Sequence, residues 1–265
     1  MNSAAPAASD HADDATSLAA LGVLAMCTVT IAHEALGHGG ACLAMGGHIA
    51  QLTSSIFQCD VHARWIAPAG PMTNFAIGGL ALALRRNVAQ WHALDAFLIF
   101  VTAFAWFWEG GYCVQAMITG DGDLYFAGQD FFGAPEKLWR TIGAMLGVAL
   151  YAGTARLTSV ALRQCFGEIA RARRASRWVW IGATLGATVA AATYPGPGLH
   201  DLHDALFEVG VASLPLLWLP VRSSAHGATT APAVRFSRRF YLLVMLLYAL
   251  FVVTLGHGLG AGRTG

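Results

Sequence analysis

The sequence predicts an all-α polytopic membrane protein of about seven transmembrane helices, with a short re-entrant β-hairpin after the first. Three observations predict it. Of 265 residues, 56% are hydrophobic and 12% charged, against about 25% charged in a typical soluble domain. Mean hydropathy is +0.53. The apolar residues gather into runs near the ~20 residues that a helix needs to cross a bilayer, at 17–46, 67–84, 90–117, 136–162, 176–194, 201–221 and 239–260. The expected partner is therefore the lipid bilayer. A net charge of +1 gives no sign of nucleic-acid binding.

Residues 1–16 are rich in Ala, Ser and Asp and read as a disordered tail. No Lys or Arg precedes the first run, so a cleavable signal peptide is not expected and the first span serves as the targeting signal. That span contains Ile31-Ala32-His33-Glu34-Ala35-Leu36-Gly37-His38-Gly39-Gly40. Ionisable groups at membrane depth are costly and mark functional sites, and three fall here within six residues. The common zinc-hydrolase signature, H-E-x-x-H, sets two histidines four apart on one helix face, beside a glutamate that activates water. Here His33 and His38 are five apart, which separates them by about 140° on a regular helix. A π-bulge would absorb the extra residue, and Gly37, Gly39 and Gly40 make distortion cheap. A rival geometry makes Glu34 and His38, four apart, the ligands and leaves His33 behind them. The order His-Glu-x-x-Gly-His also resembles the zinc motif of dipeptidyl peptidase III.

Residues 47–66 hold short β-branched runs around a polar middle, which reads as a hairpin or re-entrant loop; it includes His48 and His62. Ala67-Pro68-Ala69-Gly70-Pro71-Met72-Thr73-Asn74 opens the second span, with prolines suited to a helix start. Asn74 is a candidate substrate-binding or supporting residue. Glu109 in the third span needs a partner or a proton, and structural pairing is the expected role. Asp121 and Asp123 follow in a glycine-rich turn that offers two oxygen ligands. His200 and His203 stand in a doubled His-Asp sequence after the fifth run, as candidates to support a metal site; Asp201 or Asp204 there suits a helix cap. Glu208 lies deeper in the sixth run and His257 at the end of the last. Cysteines 27, 42, 59, 113 and 165 show no C-x-x-C spacing, so packing is expected for most, exposure for Cys59, and no disulfide framework.

The distribution of Lys and Arg sets orientation. With seven spans, one side receives Arg85, Arg86, Arg163, Arg171, Arg173, Arg174, Arg177, Arg222, Arg235, Arg238 and Arg239; the other receives Arg64, Lys137, Arg140 and Arg263. The N-terminus is thus expected in the cytoplasm. The histidine motif, the hairpin, the Asp121/Asp123 turn and the His200–Asp204 loop all fall on the outer side, as for an integral protein of a bacterial inner (plasma) membrane.

Taken in order, these features resemble the site-2 protease group of membrane zinc metalloproteases. The likeness comprises His33-Glu34-x-x-Gly37-His38, the Ala41–His48 stretch, a membrane-dipping hairpin, Ala69-Gly70-Pro71-x-x-Asn74 and a later aspartate, over residues 25 to 125. It implies one Zn2+ held by His33, His38 and Asp123, or else Asp121, with Glu34 as general base. It implies a metalloprotease-like core over 17–125, further membrane helices over 126–265, and a membrane protein or peptide as substrate. Two alternatives stand beside that hydrolase: another membrane metalloenzyme, a lipid hydrolase or a metal-dependent oxidoreductase with two metals or iron, and a non-catalytic relative that binds metal or helices.

Overall fold

The computed structural model describes residues 13–196, 200–219 and 232–260; the other residues of the expected tail, 1–12, lie outside these. Asp14 caps the first helix by accepting the Ser17 N–H at 2.8 Å. Helix α1 then runs over Ala15–Ala44, with a π-helical stretch at Ile31–Gly39. Strands β1 (Ile49–Leu52) and β2 (Phe57–Cys59) pair antiparallel. The outer edge of β1 exchanges both backbone hydrogen bonds between Leu52 and Leu259. Next come α2 (Ile66–Val88), α3 (His92–Thr119), α4 (Asp123–Phe132), α5 (Glu136–Phe166) and α6 (Ile169–Ala191). Helix α7 is His200–Ala205 continued by a π-type turn at Leu206–Val211. A single turn, α8, covers Pro215–Trp218, and α9 covers Arg238–Gly256.

Among the described residues five helices are long and apolar enough to cross a membrane: α1, α2, α3, α5 and α9. The chain is an integral membrane protein by that measure, with two fewer such helices than the seven expected. The run at 176–194 falls in α6, whose first turns carry Arg171, Arg173, Arg174 and Arg177. Its inner face is made of Ala172, Ala175, Gly182, Ala183, Gly186, Ala187 and Ala190, small residues that add little apolarity and let another helix come close. The run at 201–221 is broken after α7, because Pro215 can open a helical turn but not continue one. Both segments still join the same two ends of the bundle. Trp180 donates to the Gly210 carbonyl at 3.0 Å, and Ser176 donates to that of Leu216.

One end is held by charge. Arg171 grips the Asp13 carboxylate with contacts of 2.6 and 2.7 Å, and Asp13 also accepts the Val234 N–H. Burial alone would raise the Asp13 pKa, but the Arg171 hydrogen bond and that of Val234 hold it below the usual carboxylate range. Arg85 and Asp95 pair at 2.7 Å on the α2–α3 turn. At the opposite end Gln51 donates to the Tyr194 hydroxyl at 2.7 Å.

Helix α3 is the central element: Phe100, Phe107 and Trp108 are buried, together with Phe166 of α5. Helices α5 and α9 turn Leu138, Met145, Leu146, Leu242, Met245 and Leu250 outward, as a lipid-facing surface requires. Helices α1 and α6 cross with their backbones in contact. A Cβ on Gly22 would collide with the Val179 carbonyl, and one on Gly182 with that of Ala19. Gly182→Val should therefore destabilise the bundle by about 1–3 kcal/mol or more, read as a lowered thermal transition of the detergent-purified chain. An unchanged transition would contradict this crossing.

Candidate metal centre

The π-helical stretch explains how the long histidine spacing works. Hydrogen bonding from i to i+5 turns residues five apart toward the same side, and the Gly40 N–H does reach the Ala35 carbonyl. His33 and His38 accordingly converge, with their Nε2 atoms 3.2 Å apart. Asp123, the first residue of α4, completes the group: its Oδ2 lies 3.2 Å from His38 Nε2 and 3.5 Å from His33 Nε2. Among the described residues this buried His/His/Asp set could hold a metal ion. Glu34 is not in it, so the rival pairing of Glu34 with His38 does not form the group.

The fit to a metal is testable on the distances. Tetrahedral coordination with bonds of about 2.0–2.1 Å places ligand atoms about 3.3–3.4 Å apart, which the three observed separations bracket. The proton positions lead the same way. His38 Nδ1 faces the Ile66 carbonyl at 2.8 Å, an acceptor only, so it carries the proton. His33 Nδ1 faces Glu109 Oε1 at 2.9 Å and donates to it. With both Nδ1 atoms protonated, the neutral form of each ring aims its Nε2 lone pair at the other ring and at a carboxylate oxygen. Three lone-pair atoms so close require a positive charge between them.

Packing fixes each ligand. The His33 ring stacks on Trp108, centroids 4.6 Å apart, and the His38 ring on Phe57 at 5.4 Å. Glu109 is fully buried and also accepts from the Asn74 amide at 2.8 Å. Asn74 thus supports the site through Glu109, and Glu109 orients His33 as carboxylates commonly orient metal-binding histidines. The Asp123 N–H donates to the Tyr112 hydroxyl at 3.2 Å. Gly37 and Gly70 let α1 and α2 touch: a Cβ on Gly37 would lie 2.6 Å from the Gly70 Cα, and one on Gly70 would strike both ligand rings.

A cavity of about 650 Å3 adjoins the group. Glu34 lines it; this side chain is 3% exposed and its Oε2 has no hydrogen-bond partner among the described residues. Asp121 also lines the cavity but accepts the Gly122 N–H and stays outside the metal group. His203 points elsewhere, exposed and beside Asp204 at 3.2 Å. His200 begins α7, and its side chain lies outside the described residues. His48 pairs with Asp60 at 3.0 Å and His257 with the Thr193 carbonyl at 3.2 Å, both exposed. His62 reaches the rim, 3.6 Å from Asp130.

Cys42 and Cys59 form a disulfide, Cα atoms 6.0 Å apart, where none was expected, and Cys59 is half-buried rather than exposed. The pair is 17 residues apart in sequence, and only the folding-back of the hairpin brings it together. It ties the end of α1 to β2 and so helps hold Phe57 over His38. Because its sulfurs bond each other, the neighbouring Cys42/Cys59/Asp60 grouping is not a second ligand set in this form.

Compared with known protein families, curated proteins and solved structures, the chain matches none. Its chemistry therefore rests on its own geometry. Gly70→Ala should abolish metal uptake, measured as metal retained by the purified protein, because the added methyl enters the ligand rings. Gly40→Ala, where a Cβ meets nothing within 4 Å, should leave uptake unchanged. Equal retention by both variants would contradict the placement of Gly70.

Proposed function

We propose that the protein is a membrane-embedded zinc metallohydrolase that cleaves peptide bonds of membrane-associated substrates. One observation carries this reading: a buried glutamate, Glu34, lines the cavity beside the His33/His38/Asp123 group and keeps one oxygen without a hydrogen-bond partner among the described residues. Three protein ligands are the number that leaves a tetrahedral ion one open position. Zinc bound there supplies Lewis acidity and brings the pKa of water down toward ~7. Glu34 takes the proton from the attacking water and passes it to the leaving amine. His33, held by Glu109 and Trp108, and His38, held by Ile66 and Phe57, keep their Nε2 atoms aimed inward throughout. The hairpin and α4 wall the cavity and limit access of bulk water. Among the described residues the cavity holds a single three-ligand group, which favours one ion over a two-metal oxidoreductase or lipid hydrolase.

The site opens on the non-cytoplasmic side in this reading. The Arg-rich turns gather at the end opposite the metal group. The Cys42–Cys59 disulfide lies on the site's side, as expected of a compartment that favours oxidation.

Glu34→Gln tests the base directly. The variant should retain zinc while hydrolysis of a membrane-peptide substrate falls by about 10²-fold or more. Undiminished hydrolysis with zinc retained would refute the role.

A further inference from the structure

The cavity beside the metal group is lined by acidic side chains, Glu34, Asp123 and Glu208 among them. The cavity wall adds Asp121, Asp130 and Asp204, and no Lys or Arg is among its described lining residues. A wall with this bias favours a cationic group in the cavity over an anionic one.

The carboxylates are not equivalent. Asp130 faces His62, Asp204 faces His203, and Asp121 accepts a backbone N–H. Glu109 meets His33 and Asn74 through Oε1 and does not line the cavity. Glu208 has no hydrogen bond or ion pair among the described residues, yet it lines the cavity within electrostatic reach of Glu34 and Asp123. It sits on the π-type turn of α7, a distortion that favours functional positions. Independently, Glu34, 3% exposed, lines the same space and has an oxygen, Oε2, without a partner among the described residues. Phe57, Phe126 and Phe207 supply apolar wall, which suits the methylene stem of a long cationic side chain.

We infer that the cleft selects a substrate bearing a lysine or arginine side chain near the scissile bond, with Glu208 as the carboxylate that receives it. This rests on the metallohydrolase reading and adds a specificity to it. Cleavage is not needed for the test, only binding at the metal. Two peptide hydroxamates, identical except for lysine or norleucine, are titrated onto the zinc-loaded full chain in detergent. The hydroxamate anchors both on the ion, and only the ammonium differs. The lysine probe should bind about ten-fold tighter. Glu208→Gln should reduce it to the norleucine level and leave the norleucine probe unchanged, which also reports intact folding. Asp121→Asn, at the exposed rim, should keep the preference. Equal affinity of the two probes for the wild type, or equal loss of preference in both variants, would overturn the assignment to Glu208 while leaving the metal reading intact. Failure of both probes to bind would overturn the metal reading and this inference with it.

Discussion

Three lone-pair atoms, His33 Nε2, His38 Nε2 and Asp123 Oδ2, meet within 3.5 Å of one another in a buried site, and the rest of the structure is arranged around that unfavourable meeting. A positive charge between them turns that meeting favourable. Glu109 and the Ile66 carbonyl take the outer Nδ1 protons and thereby fix which nitrogens face inward. Trp108 and Phe57 then leave the rings little freedom to turn away. A site held this firmly loses little entropy when it takes up an ion, which is what pre-organised coordination requires.

The scaffold serves the same end by close approach. Gly37 and Gly70 bring α1 and α2 into backbone contact at the ligands, and Gly22 and Gly182 do so for α1 and α6 at the other end of α1. The metal-bearing helix is thus gripped along its length by contacts that tolerate no side chain. The disulfide and the Leu52–Leu259 bridge fasten the hairpin on top. At the far end, Asp13–Arg171 and Arg85–Asp95 close the bundle with ion pairs.

Much of this was legible in the sequence, for local reasons. Long apolar runs and scarce charge are properties of composition, so the membrane-helix class follows from them, and the hairpin after the first helix follows from the short β-branched runs around a polar middle at 47–66. The five-residue histidine offset beside Gly37 pointed to a π-type distortion, and α1 contains one at Ile31–Gly39. Asp123 was preferred over Asp121 by resemblance alone; geometry selects it because it opens α4 while Asp121 remains in the turn. What the sequence hid depends on contacts between distant residues. Glu109 needed a partner, but nothing local named His33. Glu208, within an apolar run, gave no sign that it would face Glu34's cavity. The Cys42–Cys59 pair carries no motif. The run at 176–194 resembled an independent span, yet its Ala and Gly residues serve to pack against α1. His203 drew notice by its neighbour Asp204, which in the fold only gives it an exposed ion pair.

The account stands on one ion held jointly by two histidines and an aspartate 85 residues beyond the second histidine. Zinc content of the purified full chain, wild type against His33→Ala, His38→Ala and Asp123→Ala, tests it most directly. The account predicts about one equivalent per wild-type chain and its loss from each of the three variants. Equal zinc in all four proteins would contradict it.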